Sequence, residues 1–539
     1  MKFDVRVPLI AFAALFGVLI FAMAEDKPAP NNPVSLPQGW SADTANRWHF
    51  ISQGTAIFPY EWFLALEQPN QQPGQTELIS APANLQRLGF LAEPADPASN
   101  PNGLPVGLYR TQVDFPDGKH KCWTGNWLGL GCAGCHTGQV NYRGQQIRIE
   151  GGPSHIDIGE LTGQLSGALA KLSDPQVAAR FMARVKLPVP VVQAGLVCFA
   201  QLPSFTSGTP DTIGGAGRLD AHGAGLNQLL AGPLNEPRNY APLTAPVRYP
   251  ALWDTPRFDW VLYNASIRQP LTRNLIEALG VQAPIKHDPT MITLNVTHAV
   301  QMENVVWGQR ALMDLRSPRW PDQILGAPDP KLAAIGQALY AKACANCHAP
   351  APAAAAPGAC DEIQIPVFDL TQIGTDPEQA KTFANRRVNL SKLGGEDDIA
   401  NYDAARIVTG DVAEQWIAKS KDNAASAAAI NCGRPNQYRG LLQYRARPLN
   451  GVWAMAPYLH NGSVPSLYDL LLPPEQRPRT FSVGTWEFDR VKVGLEASST
   501  PDAHPFDTAV TGNSNAGHAY GTDLNDDDRK ALIEYLKTL

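Results

Sequence analysis

Residues 329–348 read DPKLAAIGQALYAKACANCH. They combine a helix start, a helix with a small residue at its middle, and two thiols closed by a histidine. Asp329 is a candidate N-cap, and Pro330 suits a first turn, where its missing N–H has no intrahelical partner to lose. Leu332, Ile335, Gly336, Leu339 and Tyr340 follow at the three-to-four spacing of one helix face. Cys344, Cys347 and His348 then form C-x-x-C-H. At the far end of the chain, Asn525 is a second candidate N-cap. Asp526, Asp527 and Asp528 make an acidic first turn that suits the positive end of a helix. Leu532, Ile533, Tyr535 and Leu536 form its apolar stripe. Gly336 is small enough to let another helix approach closely.

Working outward, a second C-x-x-C-H lies earlier, in Gly131-Cys132-Ala133-Gly134-Cys135-His136. Covalent haem attachment needs two thiols spaced to meet two vinyl groups, and an imidazole directly after the second thiol to bind the iron. Zinc at either motif would need a further pair of ligands, and beyond the two C-x-x-C-H runs the sequence offers no C-x-x-C and no H-x-x-x-H. Both motifs therefore predict haem c, two per chain.

The 539 residues allow two or three domains. The net charge of −6 and the absence of a Lys/Arg run argue against a nucleic-acid partner. Lys2 and Arg6 precede an apolar run at 7–24 that ends in Ala22-Met23-Ala24. That is the layout of a signal peptide or an N-terminal anchor. Residues 1–24 are thus expected to direct export to the periplasm or beyond, with a membrane tether if uncleaved. Four of the eight cysteines lie outside the haem motifs. Export permits the pairs Cys122 with Cys198 and Cys360 with Cys432, and free thiols are the alternative, above all for the first pair. Ser41 is expected to cap a helix carrying Trp48 and Phe50, and residues 158–185 read as one helix. The expected fold class is mostly α, with two cytochrome c-like haem domains carrying long loops and insertions. The first spans 39–326 and holds the reactive haem. The second spans 327–539 and resembles a class I cytochrome c domain, whose first and last helices cross beside the haem.

Three features give the chain a wider resemblance, to the bacterial di-haem cytochrome c peroxidase superfamily, which includes MauG-type maturation enzymes and rubber oxygenases. They are the two separated motifs; Ala456-Pro457-Tyr458-Leu459-His460-Asn461-Gly462, similar to A-P-Y-x-H-D-G; and Pro250-Ala251-Leu252-Trp253-Asp254, similar to F-W-D-G-R. The likeness runs from about residue 46 to the C-terminus. The long first unit and residues 365–393 look closest to the rubber-oxygenase-like branch.

The resemblance implies a redox enzyme. His136 would ligate an iron that activates peroxide or dioxygen, and His348 an electron-transfer iron, with Trp253 between them. Trp253 would equally serve as core. Residues 471–474 cannot bind iron where the compact peroxidases have a methionine. The rubber oxygenases carry a histidine ligand in their C-terminal region, which implies His518 as the second distal ligand, ahead of Met455, while His460 orients structure near that haem. His155 is a candidate displaceable ligand at the first haem, and Phe258, Trp260, Asn264 and Arg268 are candidate pocket residues. The family also suggests one calcium ion on carbonyls near Met455 and Pro457. The activities implied are peroxide reduction with electrons from a small cytochrome c or copper protein, or oxygenation of an apolar alkene such as rubber or an unsaturated fatty acid. A pure electron carrier is the non-enzymatic alternative.

Overall fold

The computed structural model describes residues 33–539 without 73, 114–117, 203–206, 208, 233, 288–293, 296–300, 354–355, 357 and 497–502. The expected leader at 1–24 lies outside the described residues. No helix among those described is long and apolar enough to cross a membrane.

Helix accounts for 40 % of the described residues and strand for 13 %, so helices carry the fold and short strands trim it. The expected crossing is present. Helix Pro330–Ala343 is capped by Asp329, whose carboxylate accepts from the backbone N–H groups of Lys331 and Leu332. Helix Asp526–Lys537 is capped by Asn525, which accepts from Asp528 N–H. A Cβ on Gly336 would lie 2.0 Å from the Ala531 carbonyl oxygen, so only glycine permits this approach. The rings of Tyr340 and Tyr535 then meet at 5.2 Å. Gly336→Ala is expected to force the helices apart and lower stability by about 1–3 kcal/mol, which a urea titration of the holoprotein measures.

Around the first motif the structure is β, which the sequence analysis did not anticipate. Trp127–Leu130 pairs antiparallel with both Phe58–Pro59 and Leu108–Thr111. Thr137–Tyr142 pairs antiparallel with Gln145–Glu150 across Arg143-Gly144, both at positive φ, the geometry of a tight two-residue hairpin. The short helix Cys132–Cys135 sits between these strands, so its thiols are held by a sheet on either side. Residues 158–185 form two helices rather than one. Ile158–Lys171 ends, and Pro175–Val185 starts afresh with Asp174 capping it. Pro175 lacks the N–H that a continuous helix would use.

Both expected disulfides form, Cys122–Cys198 and Cys360–Cys432. The four motif cysteines stay unpaired. One apolar cluster lies within the first half of the chain, around Trp62, Trp127 and Phe181. Two others draw on both sides of position 326. One joins Leu271 and Val305 to Phe383 and Val408, and the other joins Trp48 and Trp253 to Tyr340, Trp453 and Leu532. The two units thus share core.

Candidate functional site: two C-x-x-C-H centres and the segment between them

Each motif histidine is oriented by a backbone carbonyl. His136 Nδ1 lies 2.8 Å from the Pro250 oxygen, and His348 Nδ1 lies 2.7 Å from the Arg447 oxygen. A carbonyl can only accept, so Nδ1 carries the proton in both rings and the Nε2 lone pair is left for a metal. An outer hydrogen bond of this kind is usual for metal-binding histidines. Burial also pushes the His136 imidazole down to about 4, which keeps it neutral and able to ligate at neutral pH.

The two centres differ on the opposite side. The His518 ring centroid is 6.3 Å from that of His348. Two imidazoles bound to one metal through nitrogens about 2 Å from it have centroids about 6 Å apart. His518 is held neutral by burial, which pushes it down to about 4, and its buried Nδ1 finds no partner in another residue. Arg477 fixes the loop that carries it. Its guanidinium donates to the carbonyls of Leu470, Leu472, Asn515, Gly517 and His518. Met455, the alternative ligand, is buried in the shared core beside Trp253 and Trp453.

His136 faces a cavity instead. The cavity encloses about 1650 Å³ with its mouth included and is lined by Cys132, Cys135 and His136. Most of its wall is apolar, from Leu130, Leu226, Val261, Ile276, Leu312 and Phe383. Arg445 also lines it, buried and with no carboxylate in ion-pair range among the described residues. A haem would fit these residues: free thiols and an imidazole at one edge, apolar walls, and an unpaired guanidinium suited to a propionate.

Helix Pro270–Gly280 places three polar side chains on the cavity wall, Arg273, Asn274 and Glu277. Arg273 donates to Asn274 Oδ1 and, at 2.8 Å, to Gln309 Oε1. Glu277, one turn on, lines the cavity with no hydrogen bond or ion pair among the described residues. Burial raises its pKa, against the opposing pull of Arg273. His222 also lines the cavity, stacked on Phe383 at 4.8 Å and bonded through Nδ1 to Gln379.

The pocket residues expected from the sequence sit elsewhere. Phe258 is core, with its ring beneath Arg445 and Arg447. Trp260 lies between Arg439 and Arg268. Asn264 is wholly buried with both amide atoms unpartnered, and Arg268 pairs with Glu362 at 3.6 Å. None of the four lines the cavity beside His136. Their neighbours Val261, Leu262, Tyr263 and Ile267 do. The backbone enters positive φ at Leu262 and Ala265, so neither a strand nor a helix period predicts which side chains face inward. His155 is buried away from this cavity, in a small crevice with Pro457 and Phe481. His460 stacks on Tyr444 at 4.2 Å.

The residues near Met455 do not fit a calcium ion. The Met455 carbonyl accepts from the Arg248 guanidinium, which also donates to the Leu459 carbonyl at 3.1 Å. A divalent cation there would lie against a fixed positive charge.

Trp253 lies in the segment joining the two centres. It is fully buried, and its indole N–H donates to the Asn450 carbonyl at 3.0 Å. Pro250 of the same segment accepts from His136, while Ala251 and Trp253 accept from Arg447. Glu277, Arg273 and the two carbonyl acceptors were missed in the sequence. The one legible signal was an Arg and a Glu four residues apart in an otherwise apolar helix.

A family model described as "RoxA-like, cytochrome c-like" matches residues 443–482, which implies covalently bound haem c. Over nearly its whole length the chain is similar to the uncharacterized protein y4iJ of Sinorhizobium fredii (strain NBRC 101917 / NGR234). Identity is 34 %, covering 98 % of this chain and 97 % of that one. The uncharacterized protein y4iM of the same organism is 28 % identical over 54 % of this chain and 63 % of its own.

Proposed function

The chain belongs to one protein family with y4iJ of Sinorhizobium fredii, and on that footing we propose that it is a di-haem c oxidoreductase of the rubber-oxygenase-like branch. Cys132, Cys135 and His136 hold the reactive haem. Cys344, Cys347, His348 and His518 hold the haem that passes electrons, with Trp253 between the two. When bound, haem supplies the iron redox chemistry that no side chain has.

One observation carries the proposal: His348 faces a second imidazole, whereas His136 faces an open cavity. Two strong axial ligands suit electron transfer, and one leaves room for a small oxidant. Of the activities that the resemblance implies, oxygenation of an apolar substrate has the better support. The cavity wall is mostly apolar, which suits an apolar substrate better than peroxide alone. In that site the apolar walls exclude water, and Glu277, whose pKa burial raises, is placed to hand a proton into the cavity. Peroxide reduction is the alternative activity of the same centre.

A pyridine haemochrome assay on denatured protein is expected to give two covalent haems per chain. Cys344→Ala with Cys347→Ala should give one and leave carbon monoxide binding at the first centre intact. One haem in the unaltered protein would end the two-centre proposal. Two haems of which neither binds carbon monoxide or cyanide, even after half-reduction, would make the chain an electron carrier.

A further inference from the structure

Building on the two-centre function above, we infer that Arg447 is a positioning residue for both iron-binding imidazoles at once, and that its charge sets the reduction equilibria of both centres together. Its main-chain carbonyl accepts from His348 Nδ1 at 2.7 Å. Its guanidinium donates to the Ala251 carbonyl at 2.9 Å and to the Trp253 carbonyl at 3.1 Å. The adjoining Pro250 carbonyl accepts from His136 Nδ1 at 2.8 Å. One residue therefore orients the second imidazole through its backbone. Through its side chain it anchors the short segment that orients the first.

The guanidinium is deeply buried, and its Nε finds no partner. Among the described residues no carboxylate lies within ion-pair distance of it. Asp254, the nearest acid acting on it, is engaged by Arg257 at 3.2 Å and by Asn450. The charge instead rests over the rings of Trp253, at 5.6 Å, and Phe258, at 5.5 Å. A buried cation without a counter-charge is costly to maintain. In a low-dielectric interior it also acts over a longer range than at the surface. A fixed positive charge favours the electron-richer state of whatever lies near it. Held between the two histidines, Arg447 therefore favours the reduced form of both centres. The hydrogen bonds to the two Nδ1 atoms are the outer-shell contacts that tune ligand basicity, so the same residue acts through geometry as well as charge.

The test uses the full-length holoprotein and its variants Arg447→Met and Arg447→Lys, each assayed for haem content and then titrated by spectroelectrochemistry. Arg447→Met is expected to shift the one-electron reduction equilibrium of both haems about tenfold or more toward the oxidised form, ~59 mV each. Arg447→Lys keeps the charge and should restore most of that shift, which a purely structural role would not require. If Arg447→Met loses haem, Arg447→Gln removes the charge while keeping donors, and the same double shift is expected. Two haems with neither potential moved, or only one, would overturn the inference and leave the two-centre function standing. A single haem in the unaltered protein would overturn both.

Discussion

Turnover by Glu277→Gln is expected to fall by about 10²–10⁴, the span of a lost general acid, while both haems stay bound. Glu277 lines the same cavity as Cys132 and His136, and its carboxyl forms no hydrogen bond or ion pair among the described residues. Glutamine keeps the shape and cannot give up a proton. The pH dependence follows from the direction of the shift. Burial raises the Glu277 pKa, so the carboxyl stays protonated above the usual value of about 4.3. The proton is available below that raised pKa and is lost as pH rises through it. Activity should therefore decline on an alkaline limb lying above the ordinary carboxylate range, and the glutamine variant should lack that limb. Steady-state turnover against pH for both proteins checks this. A variant as fast as the unaltered protein, with the same limb, would reduce Glu277 to a wall residue.

His518→Ala should convert the second centre from low-spin to high-spin and open it to carbon monoxide, a change that optical and EPR spectra read directly. The basis is the 6.3 Å between the His348 and His518 rings. The Arg477 clamp on the His518 loop should hold the backbone in place when the ring is removed. Haem content should not change, because Cys344, Cys347 and His348 are untouched. A low-spin signal surviving in the variant would point to a different sixth ligand. Met455, buried in core beside Trp253, would then have to move to supply it.

Much of this molecule was legible because its key features are local in sequence. A C-x-x-C-H run holds its own attachment chemistry. Asp329 and Asn525 cap helices through hydrogen bonds to residues two or three positions on. The pairing of Gly336 with the Tyr535 face was legible through the resemblance to a class I cytochrome c domain, and the structure makes the contact. The identity of the cavity wall was not. Residues 258–268 carry many aromatic and polar side chains, but the chain turns sharply at Leu262 and Ala265. The inward-facing set is therefore Val261, Leu262, Tyr263 and Ile267 rather than Phe258, Trp260, Asn264 and Arg268. The strands flanking the first motif escaped notice because they are short and pair with partners up to about seventy residues away.

By itself the sequence marked the two C-x-x-C-H motifs, the helices on either side of the second, and both disulfide pairings as candidates, through spacing and capping. The family resemblance added His518 as the residue to face His348. Only the tertiary structure decided what orients the two imidazoles, which side chains line the cavity, and why the Met455 carbonyl meets Arg248 instead of a calcium ion. The reason is physical. Those choices depend on backbone carbonyls and on long side chains such as Arg447, Arg248 and Arg477. A carbonyl is present at every residue, so no sequence pattern marks the one that accepts. A guanidinium can reach several directions, and only the packed fold, by burying it where no water can compete, selects the carbonyls to which it donates.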